Sequence, residues 1–125
     1  MPEVSASTRL TPEEVRARLR TFLSAPIAGN TVLVAAPGAG FRLVLYGFTI
    51  HGQDTDADNT ARFTTSGGTL LTQNFTLNQE RHISVPPNAA LTPIAVLPEN
   101  ETLELLVTGT TPAMTCQVWF VRERI

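Results

Sequence analysis

Two segments of this chain are apolar on both sides of an extended backbone. In Phe41–Ile50, alternate positions set Phe41, Leu43 and Leu45 on one face and Val44, Tyr46, Phe48 and Ile50 on the other. In Ala113–Val121, Cys116, Val118 and Phe120 stand on one face, with Trp119 and Val121 on the other. An antiparallel strand with one solvated face alternates apolar and polar residues, and these two do not. Each therefore needs cover on both sides. A sandwich core supplies the first cover. The second comes from the N-terminal helix or from a neighbouring copy of the chain. The expectation taken forward is a contact between copies, through Val44, Tyr46, Phe48, Ile50, Trp119 and Val121.

The rest of the chain after Asn30 keeps a strand-and-turn rhythm. Strands are expected at Thr31–Ala36, Phe41–His51, Asn59–Thr65, Arg81–Val85, Leu91–Leu97, Thr102–Thr108 and Ala113–Arg124, with one or two short ones in Thr69–Thr76. Pro37-Gly38-Ala39-Gly40, Ser66-Gly67-Gly68, Pro86-Pro87, Pro98-Glu99-Asn100 and Gly109–Pro112 punctuate them. Pro93 places Leu91–Leu97 at an edge. In Thr102–Thr108, Leu103, Leu105 and Val107 point one way and Thr102, Glu104 and Thr108 the other, with Leu106 the exception. About eight short strands at spacings of about 8–12 residues are the pattern of an all-β sandwich or barrel. The fold class expected is mainly β: an antiparallel, jelly-roll-like β-sandwich with an N-terminal arm and one short helix.

The first 29 residues read differently. Residues 1–10 form an arm. Thr11 caps a helix, Pro12 occupies its first position and Glu14 completes a T-x-x-E capping box. Leu10 and Val15 are spaced to staple that cap. Val15, Leu19, Phe22 and Leu23 then follow helical spacing to Leu23, and Pro26 and Gly29 end the element. A helix this short is marginal alone and needs a surface to lie on. The division expected is an arm and anchoring helix over 1–29 and a sandwich over 30–125. Leu10, Val15, Arg16, Leu19, Arg20, Phe22 and Leu23 are the candidate docking residues.

Composition narrows the function. Charged residues are 16% of the chain, well below the roughly 25% usual in soluble domains. Weakly charged surface of this kind suits coverage by a partner. The net charge is -2, without the basic excess that nucleic acid demands. All nine basic residues are Arg, a residue suited to interfaces. No stretch approaches a membrane span of about 20 apolar residues. The first ten residues include Glu3 and Arg9 and lack an apolar signal region, so synthesis in a cytoplasm is expected. For the same reason the acceptor patterns at Asn74 and Asn100 are expected to stay unmodified.

Candidate chemistry is sparse. Cys116 is the one cysteine and lies in an apolar run, so it is expected to pack as a small hydrophobe. His51 and His82 are the two histidines, and no nucleophile elbow accompanies Ser84. Asp54, Asp56 and Asp58 alternate in a loop and form a weak candidate for Ca²⁺. They miss the standard pattern, because Asn59 stands where Gly is needed and Thr65 where a bidentate Glu is needed. No catalytic set, no resident metal and no cofactor are expected.

From Asn30 onward, the order Asn30-Thr31-Val32-Leu33-Val34-Ala35-Ala36, a glycine turn, Phe41–Phe48, Ser66-Gly67-Gly68-Thr69-Leu70-Leu71, Pro86-Pro87-Asn88 and Asn100-Glu101-Thr102-Leu103-Glu104-Leu105 resembles a group of tailed-phage structural proteins. These are capsid decoration (cement) proteins and head-fibre or tail-associated sandwich modules. The resemblance implies a non-enzymatic virion component, a homotrimer held on the capsid surface by the major capsid protein or another virion protein. The alternative it leaves open is a receptor- or glycan-binding module of a fibre or spike, with the loops Gln53–Asn59 and Asn74–Glu80 carrying specificity.

Overall fold

A computed structural model of the chain describes residues 10–24, 29–52, 59–77, 82–109 and 114–125. Among these residues are one helix, α1 (Pro12–Arg18), and nine strands: β1 (Arg20–Leu23), β2 (Asn30–Val34), β3 (Phe41–Gly52), β4 (Asn59–Thr65), β5 (Phe75–Leu77), β6 (His82–Val85), β7 (Ala95–Val96), β8 (Leu103–Gly109) and β9 (Met114–Arg124). Two antiparallel sheets pack face to face as a β-sandwich. The first has the order β1-β9-β3-β6, with β7 also paired to β3, and the second the order β2-β8-β4-β5.

The long pairing of β3 with β9 sets the register of the first sheet. Leu45 faces Phe120 across the ladder, but the next pair is Gly47 with Trp119. Tyr46 is therefore an extra residue, a β-bulge, and a bulge of one residue exchanges the two faces of everything beyond it. Before the bulge, Leu43 and Leu45 point between the sheets. After it, Phe48 and Ile50 do. These four join Phe63, Leu103, Leu105, Val107, Met114, Cys116 and Val118 in the main core. Phe48 meets Phe63 edge-on, with ring centroids 4.8 Å apart.

Val44, Tyr46 and Val121 point the other way, into a second, smaller core. Val15 of α1 closes it, with Leu10, Leu19 and Leu91 around the rim. The helix that covers this face starts as the sequence indicates. The Thr11 side chain accepts from the Glu14 backbone N–H, and the Glu14 carboxylate accepts from the Thr11 backbone N–H. These two bonds satisfy donors that a helix start otherwise leaves open.

Several expectations change here. The helix ends at Arg18, not Leu23. Leu19 turns extended, and Arg20–Leu23 becomes a strand paired antiparallel to β9, from Arg20 opposite Phe120 to Leu23 opposite Gln117. Thr21 and Phe22 suit a strand, and the open edge of β9 offers backbone partners that an isolated helical turn lacks. Residues 10–24 are built into the sandwich, so the boundary expected after residue 29 falls between two strands of the fold. Of Thr69–Thr76 only Phe75 and Thr76 join a regular strand, β5, besides a single bridge from Leu70 to Thr64. Leu91–Leu97 shortens to Ala95–Val96.

Two expected outcomes test this layering. Val15→Ala should lower stability by about 1–3 kcal/mol through the lost methyls and the cavity left behind, read as a lower urea midpoint at constant slope. The Thr11 bonds, followed by Arg18, hold the Glu14 carboxyl below its ordinary value of 4.5. A lowered folded pKa contributes stability that is present above the unfolded value and lost as pH falls through the folded one. The midpoint difference between the native chain and Glu14→Gln should therefore shrink as urea titrations move from neutral pH into the acid range.

Candidate functional site

The faces of the sandwich decide what is available to other molecules. Of the six residues expected at a contact between copies, Phe48 and Ile50 lie between the sheets, and Val44, Tyr46 and Val121 lie beneath α1. All five are buried within the chain. This corrects the expected self-contact: the second apolar face is covered by the chain's own helix. Trp119 alone stays half-buried, opposite Thr21 of β1 on one side and Gly47 of β3 on the other. Gly47 has no room for a side chain. A Cβ there would stand 2.5 Å from Pro87 Cδ, so the Pro86-Pro87 turn rests directly on the strand.

The docking candidates divide as well. Val15 is buried, and Leu10 and Leu19 pack against the second core, so these three serve the fold. Arg16 is exposed and reaches the Ala89 carbonyl at 3.4 Å, tying α1 to the Pro86–Leu91 connection. Arg20, Phe22 and Leu23 remain exposed on β1, with Leu23 at 67% of full exposure. The Asp54, Asp56 and Asp58 candidate lies outside the described residues. Among the described residues no three His, Cys, Asp or Glu side chains gather as a metal site. His51 and His82 are directly opposed on β3 and β6, both exposed, with rings stacked 6.0 Å apart.

Cys116 sits in the main core, and burial pushes its thiol up to about 12. It is protonated at neutral pH, and the thiolate is the nucleophilic form. Its backbone holds β1 in place. The Cys116 N–H donates to Ser24 Oγ at 2.9 Å, and the Ser24 N–H donates to the Cys116 carbonyl at 2.8 Å.

The polar motifs turn out to brace one end of the sandwich. Glu101 accepts from the Thr65 hydroxyl and the Gly67 N–H, and Thr102 N–H donates to Ser66 Oγ. Asn100 Oδ1 accepts from the Gly38 N–H and Glu99 from the Gly40 N–H. The Gly-rich turns and the Asn100-Glu101-Thr102 segment are thus two halves of one hydrogen-bonded cluster.

Two charged arrangements at this end escaped the sequence reading. Glu123 is fully buried and receives two bonds from Arg42, Nε at 2.8 Å and Nη2 at 2.7 Å, while the Leu10 N–H donates to its other oxygen. Its place on the apolar face of β9, two residues after Val121, was the available signal that it needed a partner. Nearby, Arg18, Arg20 and Arg122 line one cleft of about 390 Å³ together with Ala17 and Leu19. Arg122 also stacks over the Phe41 ring at 3.5 Å and donates to the Pro37 carbonyl.

The outer face of the second sheet is open. Register sets Val32, Glu104, Thr64 and Leu70 in one row across it, then Asn30, Leu106 and Arg62, then Thr108, Thr60 and Thr76. Val32 is 52% and Leu70 60% exposed. Glu104 is buried by its bonds from Asn30 and Thr102. This face therefore presents aliphatic groups and threonines around one arginine, Arg62, whose Nε has no hydrogen-bond partner among the described residues.

No protein-family model matches the chain, and no curated protein matches it.

Removing one partner of the Arg42–Glu123 pair should expose what it contributes. Arg42→Ala strands a buried carboxylate and should cost about 3–5 kcal/mol in urea unfolding. Adding Glu123→Leu to Arg42→Ala should recover most of that loss.

Proposed function

We propose that the protein is a non-enzymatic assembly module, a structural virion component of the capsid-decoration type that acts as a homotrimer on a phage head. The observation that carries the reading is the uncovered face of the second sheet, where Val32, Leu70 and Leu106 stand among threonines. Exposed aliphatic side chains spread across a sheet face with few charges suit a protein contact. The face is built on the sheet's own ladder, so it can meet other copies of the chain without rearrangement. On this reading the copies meet through the second sheet, while β1 and the arginines near it face the capsid. Such a protein works by area and by many modest contacts acting together. The resemblance of the Asn30–Ala36, Ser66–Leu71 and Asn100–Leu105 segments to decoration proteins supports the virion role.

The expected outcome is a particle of three times the 13.5 kDa chain by size-exclusion chromatography with light scattering. Val32→Lys combined with Leu70→Lys should give folded monomers, because both side chains are exposed in the single chain and a lysine opposite Glu104 adds no like-charge pair. A clean monomer at high concentration that also ignores purified capsids counts against the reading. Binding to cell-surface glycans in its place favours the fibre or spike alternative.

A further inference from the structure

The edge of β1 and the arginine cleft at its start form one continuous feature. β1 ends the order of the first sheet, so one of its two edges has no partner strand among the described residues. All four of its residues are exposed, including Phe22 and Leu23. Its first residue, Arg20, lines the cleft with Arg18 and Arg122. The register explains the convergence. Arg20 faces Phe120, and Arg122 lies two residues further along β9 on the same side of the sheet. Arg18 arrives from the last turn of α1.

The charges in this cleft are poorly compensated. The chain as a whole carries -2, yet three arginines line one small concavity, and the contacts of Arg122 with the Phe41 ring and the Pro37 carbonyl leave its charge without an acid. Glu14 meets Arg18 at 3.8 Å across an exposed helix turn, a weak pairing. Glu123, the acid next to Arg122 in sequence, is committed to Arg42. Arginine forks pair well with carboxylates, and in a partly enclosed cleft that pairing is screened less than on open surface.

We infer that β1 and this cleft receive an extended acidic peptide segment of a partner protein, which adds a strand to the free edge of β1 and seats a carboxylate among Arg18, Arg20 and Arg122. Strand addition takes its affinity from backbone hydrogen bonds and its specificity from side chains at alternate positions. A free phosphate could occupy the cleft but would use neither the open strand edge nor Phe22 and Leu23. A nucleic acid would need a longer basic track than three residues. The inference rests on the assembly reading only in taking the partner to be a protein, because the contact between copies lies on the other sheet.

The chain carries its own reporter. Trp119, the one tryptophan, is directly opposite Thr21 of β1. The test is titration of the full chain with a blocked alternating glutamate–valine peptide, read by Trp119 fluorescence and by amide shifts of Arg20–Leu23. A glutamine–valine peptide and inorganic tripolyphosphate serve as the comparison arms. The inference expects saturable glutamate–valine binding that shifts the β1 amides, at least about tenfold weaker in Arg20→Glu and weakened by salt. The Arg20 side chain has no hydrogen bond or ion pair among the described residues, so this variant should fold. Equal binding of the glutamine–valine peptide overturns the role of charge. Tripolyphosphate binding with no glutamate–valine binding overturns the peptide and leaves a small-oxyanion cleft. Absence of glutamate–valine binding in a properly folded chain overturns the inference. Light scattering on the same samples reports the trimer separately, so loss of the peptide and loss of self-assembly are distinct results.

Discussion

The fold hangs on one extra residue in one strand. Tyr46 has no counterpart in β9, and that single insertion lets β3 serve two cores in succession. With an unbroken alternation, Phe48 and Ile50 would share a face with Val44 and Tyr46, and the main core would lose two of its four contributions from that strand. With the bulge, Leu43, Leu45, Phe48 and Ile50 all reach the space between the sheets, while Val44 and Tyr46 stay outside for α1. The helix is a consequence of this arrangement. It has seven residues and one buried side chain, Val15, so what keeps it helical is the patch that the strand sets beneath it.

Much of this architecture was legible in the sequence, and the failures have physical causes. Strand positions could be read from turn residues and alternation, and Asn59–Thr65 appears with the boundaries expected of it. The capping box at Thr11 and Glu14 forms as read, because capping depends on bonds within four residues. The bulge depends on a partner strand that sequence order does not reveal. Its one local trace is Gly47 inside a long apolar strand, a residue that often marks a bulge or a close approach of other backbone. Here it marks both, since Pro87 rests on it. The extension of the helix to Leu23 failed for a related reason. Val15, Leu19, Phe22 and Leu23 satisfy helical spacing, but the edge of β9 competes for the last two and wins.

The surface was harder to read than the core. An apolar residue facing outward from a strand looks the same in sequence whether a helix or another molecule covers it. Val44 and Val32 are both valines in strands, yet one is sealed by α1 and the other stands open. The arginine cleft was out of reach for another reason. Arg18, Arg20 and Arg122 come from three elements, and only the pairing of β1 with β9 brings the last of them to the other two.

The seal over the second core has a consequence for how the molecule breathes. Residues 10–24 are tied down by one buried valine, a four-residue edge strand, the Ser24–Cys116 bonds and the N–H of Leu10 on Glu123. The β3–β9 ladder beneath has eleven paired positions. Local opening follows the density of such ties, so the N-terminal segment exchanges its amide hydrogens sooner than the β3–β9 ladder and through a shallower free-energy step. When it lifts, the main core stays closed, because none of the main-core side chains belongs to it. The protein can thus loosen over this segment while the main core stays packed, and an early protease cut there would leave the β9-β3-β6 ladder and the second sheet paired.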